Sequence, residues 1–331
     1  MASSAHFNFG NPEKSTARAE APRREDVAME VIAHRREDVS GNTLPEPQDT
    51  HQESEEARVR LWLQRMVNRA GIEPVTVTIT LTPILAQALL ERNPDNRKIS
   101  SAVVERYARD IATGRFTFNG ESIIVSADGL LNDGQHRCAA VVKAGRPLRT
   151  VLVFGPERES RMTLGQGKVR LVADHIAMQG LPDSASYGAI AGYIWQYRTH
   201  KRLATDQYLR PTKAEILATV ESYPDIADSM SSIGRQGAHL LGGRSLLAFC
   251  HWVFSRRDRD GATAFMLALG SGAGLSARDP ILVARNRLLS RERLTPNEKA
   301  ELIFRAWNAA RRRETRASLQ ILGGQLPPVE A

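Results

Sequence analysis

The apolar positions along the chain change period twice, and those changes mark out its elements. Residues 75–80, VTVTIT, alternate apolar and polar side chains, which predicts a half-buried strand. Before it, Val59, Leu61, Leu63, Met66 and Val67 fall at helical spacing over residues 59–70, and Gly71 stops that helix. After it, Thr82 and Pro83 supply an N-cap and a proline at the first helical position of a helix running to about Glu91. Residues 92–98 are a polar loop. Ser100 or Ser101 caps the next helix, whose core face is Val104, Tyr107, Ala108 and Ile111 and which ends at Gly114. The apolar runs at 123–125 and 151–154 predict two more strands, with a helix between them that starts near Asp133.

Past Gly155 the strand signal disappears. Helical spacing covers residues 173–179, 184–199, 213–223, 245–255, 262–270, 281–289 and 296–313. Thr212 with Glu215, and Thr295 with Glu298, are capping boxes that set two of those starts. Residues 1–58 carry Pro, Ser, Glu and Arg without a sustained apolar period, which predicts a disordered arm. Within it Arg23-Arg24-Glu25-Asp26-Val27 recurs as Arg35-Arg36-Glu37-Asp38-Val39, either a weak docking helix or a chance duplication. The expected organisation is an arm over 1–58, an α+β domain over 59–180, an all-helical domain over 181–322 and a loose tail over 323–331.

Charge sharpens this picture. The net charge of +8 conceals an arm with seven basic and twelve acidic residues, so the remainder carries +13. Such a balance favours polyanionic partners, and DNA is the expected one. Residues 284–318 hold ten basic and four acidic residues, including Arg311, Arg312 and Arg313. They are expected either to track a DNA backbone or to form a solvated helix exterior. No apolar run has membrane-spanning length and residues 1–10 lack a signal-peptide core, so a cytoplasmic protein without membrane contact is expected. Cys138 and Cys250 are too few for a disulfide framework or a Cys-rich zinc site. His136, His175 and His251 lack metal-ligand spacing, so no metal site is expected.

The densest chemistry lies at residues 132–140, NDGQHRCAA, where a strand and turn hand over to a helix. The free N–H groups and positive dipole end of a helix start attract anions. Asp133 is read as the N-cap, and Gly134 as the residue that lets a ligand approach the backbone. Arg137 adds a forked donor suited to phosphate oxygens and His136 a donor whose charge depends on pH. Residues 133–137 are thus expected to cradle an anion, a nucleotide phosphate above all.

Asp133-Gly134-Gln135-His136-Arg137 followed by small apolar residues resembles the DGQHR form of the signature of the ParB/sulfiredoxin-like superfamily. Partition-protein members carry Gly-Glu-Arg-Arg there and sulfiredoxins Gly-Cys-His-Arg. The likeness runs from about Val75 to about Gly180, a third of the chain. It takes in Asn119-Gly120-Glu121-Ser122-Ile123 before the motif and Gly165-Gln166-Gly167-Lys168-Val169-Arg170 after it. It implies a ParB/sulfiredoxin-like fold for the α+β domain and nucleotide binding through Gly134, Gln135, His136 and Arg137. Members hydrolyse or transfer phosphate, or use the nucleotide as a switch, so an NTPase or phosphotransferase activity is left open. Gln135 stands where sulfiredoxins place a reactive Cys, which removes that chemistry here. Cys138, on the apolar face, is read as a buried hydrophobe.

Glu121 and Asp133 are the acids nearest the motif in sequence. If both reach one pocket mouth, they hold a Mg²⁺ on a nucleoside triphosphate or act as general base, whereas Asp133 alone is equally a plain cap. Lys168 and Arg170, with Gly165 and Gly167, form either a second phosphate-contacting loop or a solvated turn. The expected function is nucleotide-phosphate binding in DNA metabolism, in a partition, phage or mobile-element setting. The rivals are a nucleotide-independent DNA-binding module and a phosphotransferase acting on a small molecule or modified base.

Overall fold

The computed structural model describes residues 54–165, 170–233, 238 and 240–330. The repeated Arg-Arg-Glu-Asp-Val segments and Lys168 lie outside the described residues. Helix α1, Glu55–Ala70, starts earlier than its apolar period, because Ser54 accepts from the Ala57 amide at 3.2 Å and Glu55 and Glu56 fill the first turn. Caps and acidic residues suit the positive end of a helix without needing a buried face, so the apolar pattern is silent there.

Strand β1, Val75–Leu81, leads into α2, Pro83–Leu90, where Thr82 accepts from the Leu85 amide as its Thr-Pro start predicts. Helix α3, Ser101–Ala112, is followed by β2, Ser122–Val125, and then by β3, Leu131–Asp133. Strand β3 is too short to show a period and was not expected. Helix α4, Gln135–Ala144, and β4, Leu148–Phe154, complete a four-stranded sheet of order β1-β4-β2-β3. β4 pairs antiparallel with β1 and parallel with β2, and β2 pairs antiparallel with β3. The arrangement is α+β, with Leu81, Leu89, Ile123, Leu131, Leu152 and Phe154 in the core under the sheet.

Beyond a 3₁₀ turn at Arg158–Thr163, the described chain is helical: α5 Val172–Met178, α6 Ser184–His200, α7 Lys213–Ser222, α8 Ile226–Ser232, α9 Arg244–Ser255, α10 Arg259–Ser271, α11 Pro280–Leu289 and α12 Pro296–Arg311. Both capping boxes are formed. These helices close over a second core in which Phe254 stacks on Trp307 at 4.6 Å between ring centres. Residues 52–331 nonetheless form one compact unit. At the junction Arg109 of α3 pairs with Glu215 of α7 at 3.3 Å and donates to the Arg210 carbonyl at 2.8 Å.

The end of the chain corrects the expectation of a loose tail. Buried Glu301 accepts from the amides of Leu322 and Gly323 at 2.9 and 3.0 Å, and Leu326 is buried. Asn308 donates to the Pro328 carbonyl at 2.7 Å and accepts from the Glu330 amide at 3.0 Å. Buried polar groups on α12 need partners, and this strap supplies them.

Candidate functional site

The turn from β3 into α4 consists of Gly134 alone. It sits at φ 99°, in the left-handed region, and is the N-cap without a side-chain cap bond. A Cβ there would lie 2.7 Å from Ile123 Cγ1, so glycine is demanded by conformation and by close packing on β2. This packing demand is a reason for glycine beyond the expected one, admitting a ligand to the backbone, and Gly134 also lines a cavity. Asp133 is likewise not the N-cap. It is the last residue of β3, paired with Ile124, and its carboxylate lies 3.3 Å from Arg137 Nη2.

The three side chains expected to hold an anion turn toward protein. Arg137 is buried, and its guanidinium donates to the Glu121 carbonyl at 2.9 Å and the Ser122 carbonyl at 2.6 Å. It clamps the start of β2 to α4 and is not a free phosphate donor. Gln135, also buried, donates to the Arg97 carbonyl at 2.8 Å and accepts from Asn93 Nδ2 at 2.9 Å. His136 Nε2 accepts from the Ser100 amide at 3.0 Å, so it is an acceptor on that side. Burial first, and then the nearby Arg97 charge, lower the His136 pKa against an opposing pull from Asp133. A neutral ring fits that bond, with its proton on Nδ1.

What these contacts build is a cavity of about 480 Å³ at the start of α4. One wall is the turn itself, with Asp133, Gly134 and His136; Glu121, just before β2, lies on the same cavity. The two candidate acids are therefore brought together. The opposite wall is the loop at 92–98, which the sequence showed only as polar. Asn96 donates to the Leu131 carbonyl at 2.8 Å and Arg158 to the Pro94 carbonyl at 2.7 Å, stitching that loop to β3 and the 3₁₀ turn. Two cations missed in the sequence, Arg97 and Arg161, line the cavity. Arg161 donates to the Asp95 carbonyl at 3.1 Å, whereas exposed Arg97 has no side-chain acceptor among the described residues. The available signal was Arg97 in a loop directly before the Ser100 cap, without an acidic neighbour at helical spacing.

Gly165 reaches the cavity, but exposed Arg170 does not line it; its carbonyl accepts from Lys213. Among the described residues no group of three or more His, Cys, Asp and Glu is placed to hold a metal ion. Cys138 is fully buried and its thiol is pushed up to about 12 by that burial. Among the described residues, no helix is long and apolar enough to cross a membrane.

Of the two readings left open for the run at 311–313, a DNA-tracking stripe or a solvated helix exterior, the ion pairs of Arg311 and Arg312 bear on the first. Arg311 pairs with Asp258 at 2.6 Å, and Arg312 with Glu314 and Glu330 at 2.8 Å each. Arg313 is exposed at φ 54°, past the end of α12. Glu314 stands beside the run in sequence, whereas Asp258, from α10's cap, and Glu330, from the terminal strap, are too distant in sequence to show beside the arginines. Comparison of the chain with protein-family models, curated proteins and solved structures gave no match.

Proposed function

We propose that the cavity at the start of α4 binds the phosphates of a nucleoside triphosphate, in a protein of ParB/sulfiredoxin-like kind that acts on DNA. The observation that carries the reading is the N-terminus of α4, without a side-chain cap bond, opening into a cavity rimmed by Arg97, which has no side-chain acceptor among the described residues. The first backbone N–H groups of a helix have no partner within it, and their dipole favours an anion. Its volume of about 480 Å³ lies in the range of small-molecule pockets. The phosphates rest on amides and on Arg97 and Arg161, while Arg137 and Gln135 hold the walls. Asp133 and Glu121, both on the cavity wall, are the carboxylates that would hold a Mg²⁺ bound with the nucleotide. The DNA part of the reading rests on the +13 charge beyond residue 58.

The test is thermal unfolding with ATP, CTP and GTP, each with Mg²⁺. A ligand at a hundredfold its Kd stabilises the native state by about 2.7 kcal/mol. At least one nucleotide is expected to raise the melting temperature, and Arg97→Gln to remove most of the effect. A second reading is favoured by the engagement of Gln135, His136 and Arg137 with protein atoms: the motif is an internal clamp in a nucleotide-independent DNA-binding module. That reading prevails if DNA binds while none of the three nucleotides shifts the melt.

A further inference from the structure

We infer that the cavity between α6, α9 and the C-terminal strap is a second binding site, for a phosphate group carried by a nucleotide or by a single nucleic-acid strand. This cavity, of about 750 Å³, is separate from the one at α4 and does not depend on the reading given to that one. Its charged lining is Arg198, Lys201, Arg256 and Arg257, with no acidic residue. The α4 cavity, in contrast, carries Asp95, Glu121 and Asp133 beside its cations.

Among the described residues only Arg256 of these four has a carboxylate partner, Asp225 at 2.7 Å. Arg198, Lys201 and Arg257 have no carboxylate partner among the described residues. Like charges around one concavity repel one another unless an anion joins them, and arginine forks match phosphate oxygens. The cations are interleaved with aromatic rings. Arg256 lies 4.4 Å over Trp252, Arg198 5.2 Å over Tyr223 and Lys201 5.4 Å over Tyr197. Cations alternating with aromatic rings are how nucleic-acid strands are held without sequence reading.

Trp252 lines the cavity and is 4% exposed, so it forms part of the wall. On the strap side the Pro328 carbonyl accepts from Asn308 and the Leu326 amide donates to the Lys201 carbonyl at 2.6 Å, so that wall of the cavity is tied in place.

The experiment measures binding of the full chain to a fluorescently labelled oligothymidylate and, separately, to TTP, over a series of salt concentrations. The proteins are wild type, Arg198→Gln/Arg257→Gln, and Arg97→Gln, which reports on the α4 cavity alone. TTP is also titrated against the two sets of substitutions combined. Arg198 and Arg257 are both exposed, and unchanged unfolding midpoints verify that the variants fold. The double variant is expected to lose roughly tenfold in affinity for the strand and to flatten its salt slope by about 1.4, two contacts at ~0.7 each. Arg97→Gln is expected to leave strand binding unchanged. A loss on oligothymidylate alone makes a strand the source of the phosphate; a loss on TTP in the Arg97→Gln background makes it a free nucleotide. Equal affinity of wild type and double variant for both probes, or no binding of either probe by wild type, overturns the inference. Failure of the α4 reading shows instead in the Arg97→Gln arm.

Discussion

Replacing Arg137 by Met decides whether this side chain holds a ligand or holds the fold. The guanidinium is 8% exposed and donates at 2.9 Å to the Glu121 carbonyl and at 2.6 Å to the Ser122 carbonyl. Hydrogen bonds from a charged donor contribute about 1.5–3 kcal/mol each. The Asp133 carboxylate, 43% exposed, adds little, because solvent screens it. Met preserves length and apolar packing but leaves the Ser122 carbonyl without this donor, while Glu121 keeps a bond from Thr150 at 3.3 Å. The expected cost is about 3–5 kcal/mol, a large share of a typical native stability of about 5–15 kcal/mol. Arg137→Lys is expected to recover only part of it, since an ammonium cannot fork across two carbonyls. Urea unfolding at constant m measures both variants. Nucleotide affinity of folded Arg137→Lys is expected to match wild type. A stability loss under about 1 kcal/mol for Arg137→Met would return the side chain to the ligand and refute the clamp.

Gly134→Ala is expected to cost about 2–4 kcal/mol, combining left-handed strain with the clash against Ile123 Cγ1 at 2.7 Å. Combined with Ile123→Ala, the two losses should sum to less than additive; strict additivity would mean the contact is not what constrains Gly134. The His136 pKa is lowered in the fold, so the native state binds fewer protons than the unfolded chain just below the ordinary value of 6.5. Its contribution is present above about 6.5 and lost as pH falls through that value toward the folded pKa. Protonation would also set a second donor against the Ser100 amide. His136→Gln should therefore lose less stability than wild type between pH about 7.5 and about 5, and parallel profiles would reject the assignment. His200 and His251 are shifted the same way, so the difference between the two proteins isolates His136.

The sequence by itself determined what depends on neighbours a few residues apart. Thr82-Pro83, Thr212 with Glu215 and Thr295 with Glu298 start helices as expected, because a cap bonds to an amide within its own first turn. The period-two run became β1, and the motif at 133–137 does meet Glu121 at a cavity. Tertiary structure alone decided which way the motif's side chains point. The carbonyls of Arg97, Glu121 and Ser122 draw Gln135 and Arg137 inward, and only the packing of the 92–98 loop and of the start of β2 against α4 brings those carbonyls there. The same holds for Arg311, paired with Asp258 of α10's cap, and for the second partner of Arg312, Glu330 of the terminal strap. A side chain's partner is settled by desolvation at a buried contact, and residues far apart in sequence make that contact. Local pattern therefore locates such groups, and packing chooses what they hold.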